Sequence, residues 1–587
     1  MNFSTIDLIV FCGYLIIMVG IGIFFASKKN ESAQDYFLAS SALPWWAVGG
    51  SLIASNISTE QILGMNGSGF EIGLAIASYE LMAAVTLVLV AKFFLPVFIK
   101  KQIYTMPQFL EQRFDNRVRT GLAVFWILLF VFVNITSVLY LGGLAIQNIL
   151  GIPMIYGILG LVIYSASFSI FGGLKAVVWT DVIQVVVLAV GGFIASYIVV
   201  RAVGEGSYFG GLTTLVEQVP ERFHMIFSKN DQYIDISTGA QKSAYNLLPG
   251  LSVLLGGMWI ANIYYWGTNQ YIIQRALAAK TISEAQTGVA FAAFLKILMP
   301  LIVVIPGIAA FYLQADISKA DEAFPWVLNN YVSSGLKGLV FAALIAAIGS
   351  SISSIVNSTS TIFTLDIYKQ FNKKSSEKNL VRIGKLSATI ALLLGAIMAP
   401  TLQTLGQVFQ YIQEYTGFIS PGIVAIFVFG LFWKPTTANA ATVVVILSIP
   451  LSWALQVFFP QLPFIDRMGF CFLLLSTVLV LMSVMEQQNG NEGSSKGAPR
   501  WGIVATLILI STVPGIKILW QDGIQSLFGI LSLLLSLATI ILLLTEKKRP
   551  FTKAIQVPET MFATSKQFNI IALGTMAILS VIYIVFW

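Results

Sequence analysis

The stretch LPWWAVGGSLIASNISTEQILGMNGS (43–68) decides how the chain is read. It is apolar and long enough to cross a bilayer, which takes roughly 20 residues. Its middle carries Ser51, Ser55, Asn56, Ser58, Thr59, Glu60 and Gln61. A straight helix facing lipid does not tolerate that many polar side chains. The simplest account is a spanning helix whose centre unwinds, freeing backbone carbonyls inside the protein. A second stretch has the same character. It holds Gly256, Gly257, Asn262, Gly267 and Asn269, with Tyr264, Tyr265 and Trp266 among them.

The rest of the chain supports a membrane reading. Charged residues are 10% of the 587, where a soluble domain carries about 25%. Hydrophobic residues are 57%, and the mean hydropathy is +0.83. That much apolar surface is not hidden from water in a soluble fold. Strand-like alternation is absent, so the expectation is an all-α polytopic membrane protein, not an outer-membrane barrel. Sixteen candidate spans emerge: 5–26, 43–68, 73–98, 120–149, 151–171, 176–200, 246–274, 285–313, 336–364, 381–400, 404–432, 438–458, 463–485, 501–519, 524–545 and 567–587. The first run has no basic residue before it and Lys28 and Lys29 after it. It reads as a span with its N-terminus outside, not as a cleavable signal peptide.

Charge placement agrees with that orientation. Of the 34 Lys and Arg, 24 fall in loops placed inside (Arg113 and Arg275 among them), 7 in outside loops, and Lys92, Lys296 and Lys517 within spans. This excess inside follows the positive-inside rule and puts both termini outside. It also accounts for the net charge of +7 without a nucleic-acid partner. Trp45, Trp46, Trp433, Trp501 and Trp587 sit where membrane interfaces are expected.

Other classes have little support. His224 is the one histidine, and Cys12 and Cys471 are the two cysteines. Histidine metal sites, histidine bases and iron–sulfur centres are thereby close to excluded. There is no Walker-type loop and no HExxH, so ATP-driven pumping and metalloproteolysis have no basis. The polar stretch 202–244 is expected to lie outside with short helices. Residues 486–500 read as a flexible linker.

The two interrupted spans are five apart, and interrupted helices at matching positions of two halves point to a transporter site. Spans two to six and seven to eleven then form inverted repeats of five. The ninth span adds Ser351, Ser354, Ser358 and Thr361, which step by 3, 4 and 3 and share one face. Hydroxyls and freed carbonyls suit a hard cation such as sodium. Close helix packing uses the same residues, and both readings stand at this point. Gln61, Glu80, Asn134, Asn262, Lys296 and Gln413 offer donors and acceptors together. That set suits a neutral polyol, with Tyr79, Tyr265 and Phe409 as apolar faces for a sugar ring. Glu80 and Lys296 also read as a structural pair.

On these residues the chain resembles the solute:sodium symporter family, and within it the bacterial members that carry galactose or glucose. The matching stretches are DYFLASSALPWWAVGGSLIASNISTEQ (35–61), IGLAIASYE (72–80), SVLYLGGLA (137–145), GGLKAVVWTDVIQV (172–185), NIYYWGTNQYIIQRALAAK (262–280), NSTSTIFTLDIYK (357–369) and QYIQEYTGFISPG (410–422). The resemblance implies a five-plus-five inverted-repeat core of the LeuT type with peripheral helices. It implies sodium held by carbonyls of Ala54, Ile57 and Ala347 and hydroxyls of Ser350 and Ser351, with Asp181 on the sodium exit route. The sugar would contact Gln61, Glu80, Asn134, Asn262, Lys296 and Gln413. Tyr265 would be the inner gate, and Met65, Tyr79 and Phe409 would cover the sugar from outside. Where the family has a serine in the sugar site, this chain has Ala83, which leaves the preferred epimer open. Residues 486–559 lie outside the likeness.

The implied function is sodium-coupled symport of a neutral hexose into the cell by alternating access. Sodium is the co-transported ion; no organic cofactor, protein partner or enzyme activity is expected. The implied location is the cell (inner) membrane. Alternatives are another polyol such as myo-inositol, or a sugar sensor without coupled transport. Glu80 disfavours carboxylate solutes such as amino acids and sialic acid. The implied layout is 1–42 as an extra N-terminal span and loop, 43–201 as the first repeat, 202–245 as an outside loop and 246–432 as the second repeat. Residues 433–485 add two peripheral spans, 486–566 a linker and two spans with a basic loop, and 567–587 a last span.

Overall fold

The computed structural model describes residues 4–27, 32, 36–37, 42–404, 408–488, 508–509, 512, 527–544 and 559–587. Lys28, Lys29, the expected linker from 489 on, most of the 501–519 span and the basic stretch 545–558 lie outside these residues.

Helices dominate, and among the described residues ten are long and apolar enough to cross a membrane, or eleven if the bent pair Ala244–Leu254 and Met258–Thr268 is one span. The sixteen candidate spans are therefore not sixteen long helices. Several of the expected spans are broken or short among the described residues, and most of 501–519 lies outside those residues. The 43–68 span is a helix Trp45–Asn56 followed by a π-helical turn Glu60–Met65. The bent pair turns by 77° at its break. Met154–Ile170, Ser420–Phe432 and Ile530–Ile541 are shorter apolar helices.

The boundary between two expected spans falls at Gly173, a kink with non-helical torsions that divides the run Met154–Val203 into two helices. Gly173 has φ +62°, a conformation that favours glycine. A Cβ there would meet the Tyr36 carbonyl oxygen at 2.5 Å. Both the torsion and the space therefore require glycine. Gly173→Ala is expected to lower stability by about 1–3 kcal/mol, the cost of a strained backbone position, before the clash is counted. A thermal melt of the purified variant that overlays the wild type would contradict this.

The centre of the bundle is the helix Leu336–Ile362, buried almost throughout. It packs against the 154–203 run and the 45–56 helix. The 45–56 helix in turn packs on the helix Ile282–Leu298, which also contacts Ser78–Phe93 and Lys566–Val585. Gly49 and Gly288 let the 45–56 and 282–298 helices cross closely; a Cβ on Gly49 would lie 2.6 Å from the Gly288 carbonyl oxygen. Glu284 accepts a hydrogen bond from the Trp45 amide, placing an acid at the start of the 45–56 helix.

The 202–244 segment holds the expected short helix, Tyr208–Gln218, and also a small antiparallel hairpin of Gln232–Ile234 and Gln241–Ser243. At its turn, burial raises the Asp235 carboxyl, but bonds from Lys242 and Ser237 outweigh this and hold it at about 2.

Two arginines placed in inside loops are buried instead. Arg113 is 3% exposed and donates to the carbonyls of Gly430, Trp433, Lys434 and Thr436. It caps the end of the helix Ser420–Phe432, where unpaired carbonyls attract a cation. Arg275 lies in the core and is taken up below. Trp433, read as an interface residue, is fully buried, whereas Trp46 and Trp587 are exposed.

Candidate transport site

The break in the 45–56 helix is built by its own side chains. Ile57 leaves helical geometry at φ −74°, ψ 102°. The Ser58 amide and hydroxyl both donate to Gln61 Oε1 at 3.1 Å, and the Glu60 amide donates to Ser58 Oγ at 3.1 Å. Short polar side chains thus compete with the helical ladder and restart it one turn later. The break leaves backbone carbonyls facing the 336–362 helix. Ser351 Oγ donates to Ser55 O at 3.3 Å and lies 3.4 Å from Ile57 O.

The hydroxyl face read from the sequence is turned onto the two broken segments. Ser351 and Ser354 meet the 45–56 helix, Ser354 through Ser55 Oγ at 2.9 Å. Ser358 donates to Gln274 Oε1 at 2.7 Å, and Thr361 accepts from Gln274 Nε2 at 3.2 Å. Ala54, Ile57, Ala347, Ser350 and Ser351 are all buried here. Ser350 is committed to Asp181, donating to Oδ1 at 2.5 Å. Ser51 and Ser55 donate to Asp181 Oδ2 at 2.6 and 3.2 Å. Arg275 approaches the same oxygen at 3.6 Å, and neither side chain of that pair is exposed. Arg275 also donates to Ser354 Oγ and the Tyr271 carbonyl. An oxygen-rich, charge-compensated cluster therefore adjoins the break.

Beside it lies a polar cavity. Gln61, Glu80, Asn134, Asn262, Lys296 and Gln413 all line it, as do Tyr79, Tyr265 and Ala83. Met65 is fully buried and is not part of the lining. The Phe409 side chain lies outside the described residues. Lys296 on the 282–298 helix pairs with Glu80 on the 78–93 helix and donates to Asn56 Oδ1. Asn56 Nδ2 donates to Tyr265 OH at 3.0 Å, and Tyr271 OH donates to Tyr265 OH at 2.8 Å. One chain of polar contacts thus runs from the cavity wall through the end of the 45–56 helix to the tyrosines of the second broken segment. The choice between a structural pair and a pocket resolves into both. Lys296 and Glu80 neutralise each other and still face the cavity.

Asn56, Tyr271 and Arg275 were not singled out as site residues in the sequence reading. Asn56 was visible within the polar run 51–61. Arg275 carried a weaker signal: it follows Gln274 inside an apolar stretch, and only packing reveals its partner Asp181, 94 residues away.

Broken helices meeting at a polar cavity, beside a hydroxyl-rich cluster on a buried helix, define a multi-pass secondary transporter with a LeuT-like helical-bundle core. Comparison with known proteins supplies the family. The sodium:solute symporter family model matches residues 36–448, and the chain belongs to that family. A sodium/glucose cotransporter of Vibrio parahaemolyticus is 44% identical, over 100% of this chain and 98% of that protein. A sodium/myo-inositol cotransporter 2 of Mus musculus is 32% identical, over 76% of this chain and 69% of that protein. Among solved structures, a substrate-bound, outward-open Na+-coupled sialic acid symporter matches with a TM-score of 0.71 at 25% identity, over 82% of this chain and 98% of that one. A nucleobase-cation-symport-1 family transporter in a closed conformation matches the fold with a TM-score of 0.50 at 14% identity, over 78% and 96%.

Proposed function

We propose that this symporter couples sodium entry to inward transport of a neutral hexose, galactose or glucose, by alternating access. The observation that carries the reading is the cavity in which Lys296 and Glu80 offer donors and acceptors together with no net charge, next to the broken 45–56 helix. In this reading Ala54, Ile57 and Ala347 supply carbonyls and Ser350 and Ser351 hydroxyls to sodium, and Asp181 lies on its exit route. The sugar is held by Gln61, Glu80, Asn134, Asn262, Lys296 and Gln413. Tyr265 closes the inner side, and Met65, Tyr79 and Phe409 close the outer side. The full-length likeness to a sodium/glucose cotransporter supports the substrate class.

Sodium joins the 45–56 helix to the 336–362 helix, and its occupancy biases the conformation only because the two states bind it unequally. The membrane potential contributes about 2.3 kcal/mol per charge per 100 mV. A tenfold sodium gradient adds about 1.4 kcal/mol. One sodium then sustains sugar accumulation on the order of a few hundred-fold.

The finer architecture belongs to the same proposal. The chain makes sixteen crossings, some broken, in the inner membrane, with both termini outside. Residues 43–201 and 246–432 are the two inverted repeats, separated by the outside segment 202–245. Residues 1–42, 433–485, 486–566 and 567–587 are peripheral. The two breaks that converge on the cavity support the pairing of repeats, and the excess of Lys and Arg in one set of loops supports the orientation.

The test is uptake of radiolabelled galactose and glucose into proteoliposomes with an imposed sodium gradient, with potassium-only vesicles as the control. Sodium-dependent uptake is expected. Ser351→Ala is expected to raise the sodium concentration for half-maximal uptake about tenfold, the weight of one lost ligand near 1.4 kcal/mol. Unchanged sodium dependence would remove Ser351 from the ion site. A second reading, myo-inositol, is favoured by the 32% identical cotransporter of that name. Uptake of inositol but neither hexose would select it.

A further inference from the structure

The cavity extends past the residues assigned to the sugar. Asn269 and Tyr271 also line it, and they follow Tyr265 along the chain by four and six residues. Glu60 lines it from the other broken segment. Asn269 leaves helical geometry at φ −79°, ψ 124°, directly after the π-helical turn Tyr264–Thr268. Tyr265 OH is tied to both Asn56 and Tyr271.

The chemistry of this part of the lining is specific. Asn269 is 2% exposed, yet its Oδ1 has no hydrogen-bond partner among the described residues. It occupies the position before the helix Gln270–Leu277 but makes no side-chain cap there. Buried acceptors are normally satisfied, and one left bare at a cavity wall marks a place where a ligand donates. The Glu60 carboxylate likewise has no ion pair or hydrogen bond among the described residues, although its neighbour Gln61 is engaged by Ser58. Two bare acceptors lining one cavity disfavour anions and call for hydroxyl donors.

We propose that Glu60 and Asn269 form an inner station for the polyol, which receives its hydroxyls as the sugar passes Tyr265 toward release. This rests on the polyol reading of the outer cavity. The acceptors hold the sugar after it leaves Lys296 and Glu80, so their loss slows turnover and leaves first binding nearly intact.

The experiment measures KM and kcat for sodium-driven uptake in proteoliposomes. Galactose is compared with its monodeoxy analogues. Asn269→Ala and Glu60→Leu are expected to lower kcat about tenfold with KM within about twofold. Glu60→Gln, which keeps an acceptor oxygen without the charge, is expected to stay within about threefold of wild type. One deoxy analogue, lacking the hydroxyl that donates to Asn269, should show the same kcat in wild type and Asn269→Ala. Equal losses with every analogue would indicate a purely structural role and overturn the proposal. Glu60→Gln as inactive as Glu60→Leu would mean that the charge is what matters, and would overturn it in favour of a cation site. Wild-type protein that moves no hexose or inositol would instead overturn the polyol reading itself.

Discussion

Lys296→Met is expected to abolish sodium-driven sugar uptake and to lower the thermal stability of the purified protein. Lys296 is fully buried, and its ammonium group is shared between Glu80 and Asn56. Removing it leaves the Glu80 carboxylate buried without its cation. Breaking a buried pair from one side costs about 3–5 kcal/mol. It also severs the contact between the cavity wall and Asn56, which holds Tyr265. Stability and transport are separated by the double variant Glu80→Gln/Lys296→Met. It restores charge balance, so its melting temperature is expected to return most of the way to wild type, since the two sites are coupled. Uptake is expected to stay lost, because in the proposed reading the sugar loses both a donor and an acceptor. A single variant with wild-type uptake, or a double variant that transports, would show that the pair serves the bundle and not the sugar.

Asp181→Ala is the second large effect. Asp181 takes hydroxyl donors from Ser51, Ser55 and Ser350 and faces Arg275. The alanine variant strands the Arg275 guanidinium in a site with no exposure, and the cost is again about 3–5 kcal/mol. It also frees Ser350, an expected sodium ligand, from the carboxylate that orients it. The half-maximal sodium concentration is therefore expected to rise about tenfold or more in whatever protein folds. Asp181→Asn keeps one acceptor oxygen and is expected to be milder in stability than the alanine variant. Thermal melts with and without sodium check both parts. Sodium-induced stabilisation that is equal in wild type and Asp181→Asn, with sodium affinity unchanged, would detach Asp181 from the ion.

Much of the site was legible because membrane chemistry penalises polar residues strongly. The run from Ser51 to Gln61 had no place in a lipid-facing helix, and the helix breaks inside it, at Ile57. The hydroxyl face of Ser351, Ser354, Ser358 and Thr361 needed only helical periodicity, and it meets the broken segments. Glu80 and Lys296 were conspicuous as charges inside apolar runs, and they pair.

Other features depend on what packs against them. Hydropathy counts apolar stretches and carries neither the 77° bend in the second broken span nor the π-helical turn in the first, so sixteen stretches do not become sixteen long helices. Arg113 and Arg275 look like loop cations by position. Arg113 is drawn inside by the open carbonyls of a helix end, and Arg275 by Asp181. Trp433 has the setting of an interface tryptophan and is buried in the core.

Sequence alone determined that the chain crosses a membrane many times, where its helices break, and which side chains are too polar to face lipid. Those properties follow from transfer free energies and helical period, which are local. The tertiary structure decided which carbonyl meets which hydroxyl, that Asn56 links Lys296 to Tyr265, and that Asp181 finds Arg275. Such pairings join residues up to 296 positions apart. They depend on how helices cross, and helix crossings are set by packing against neighbours that no local pattern encodes.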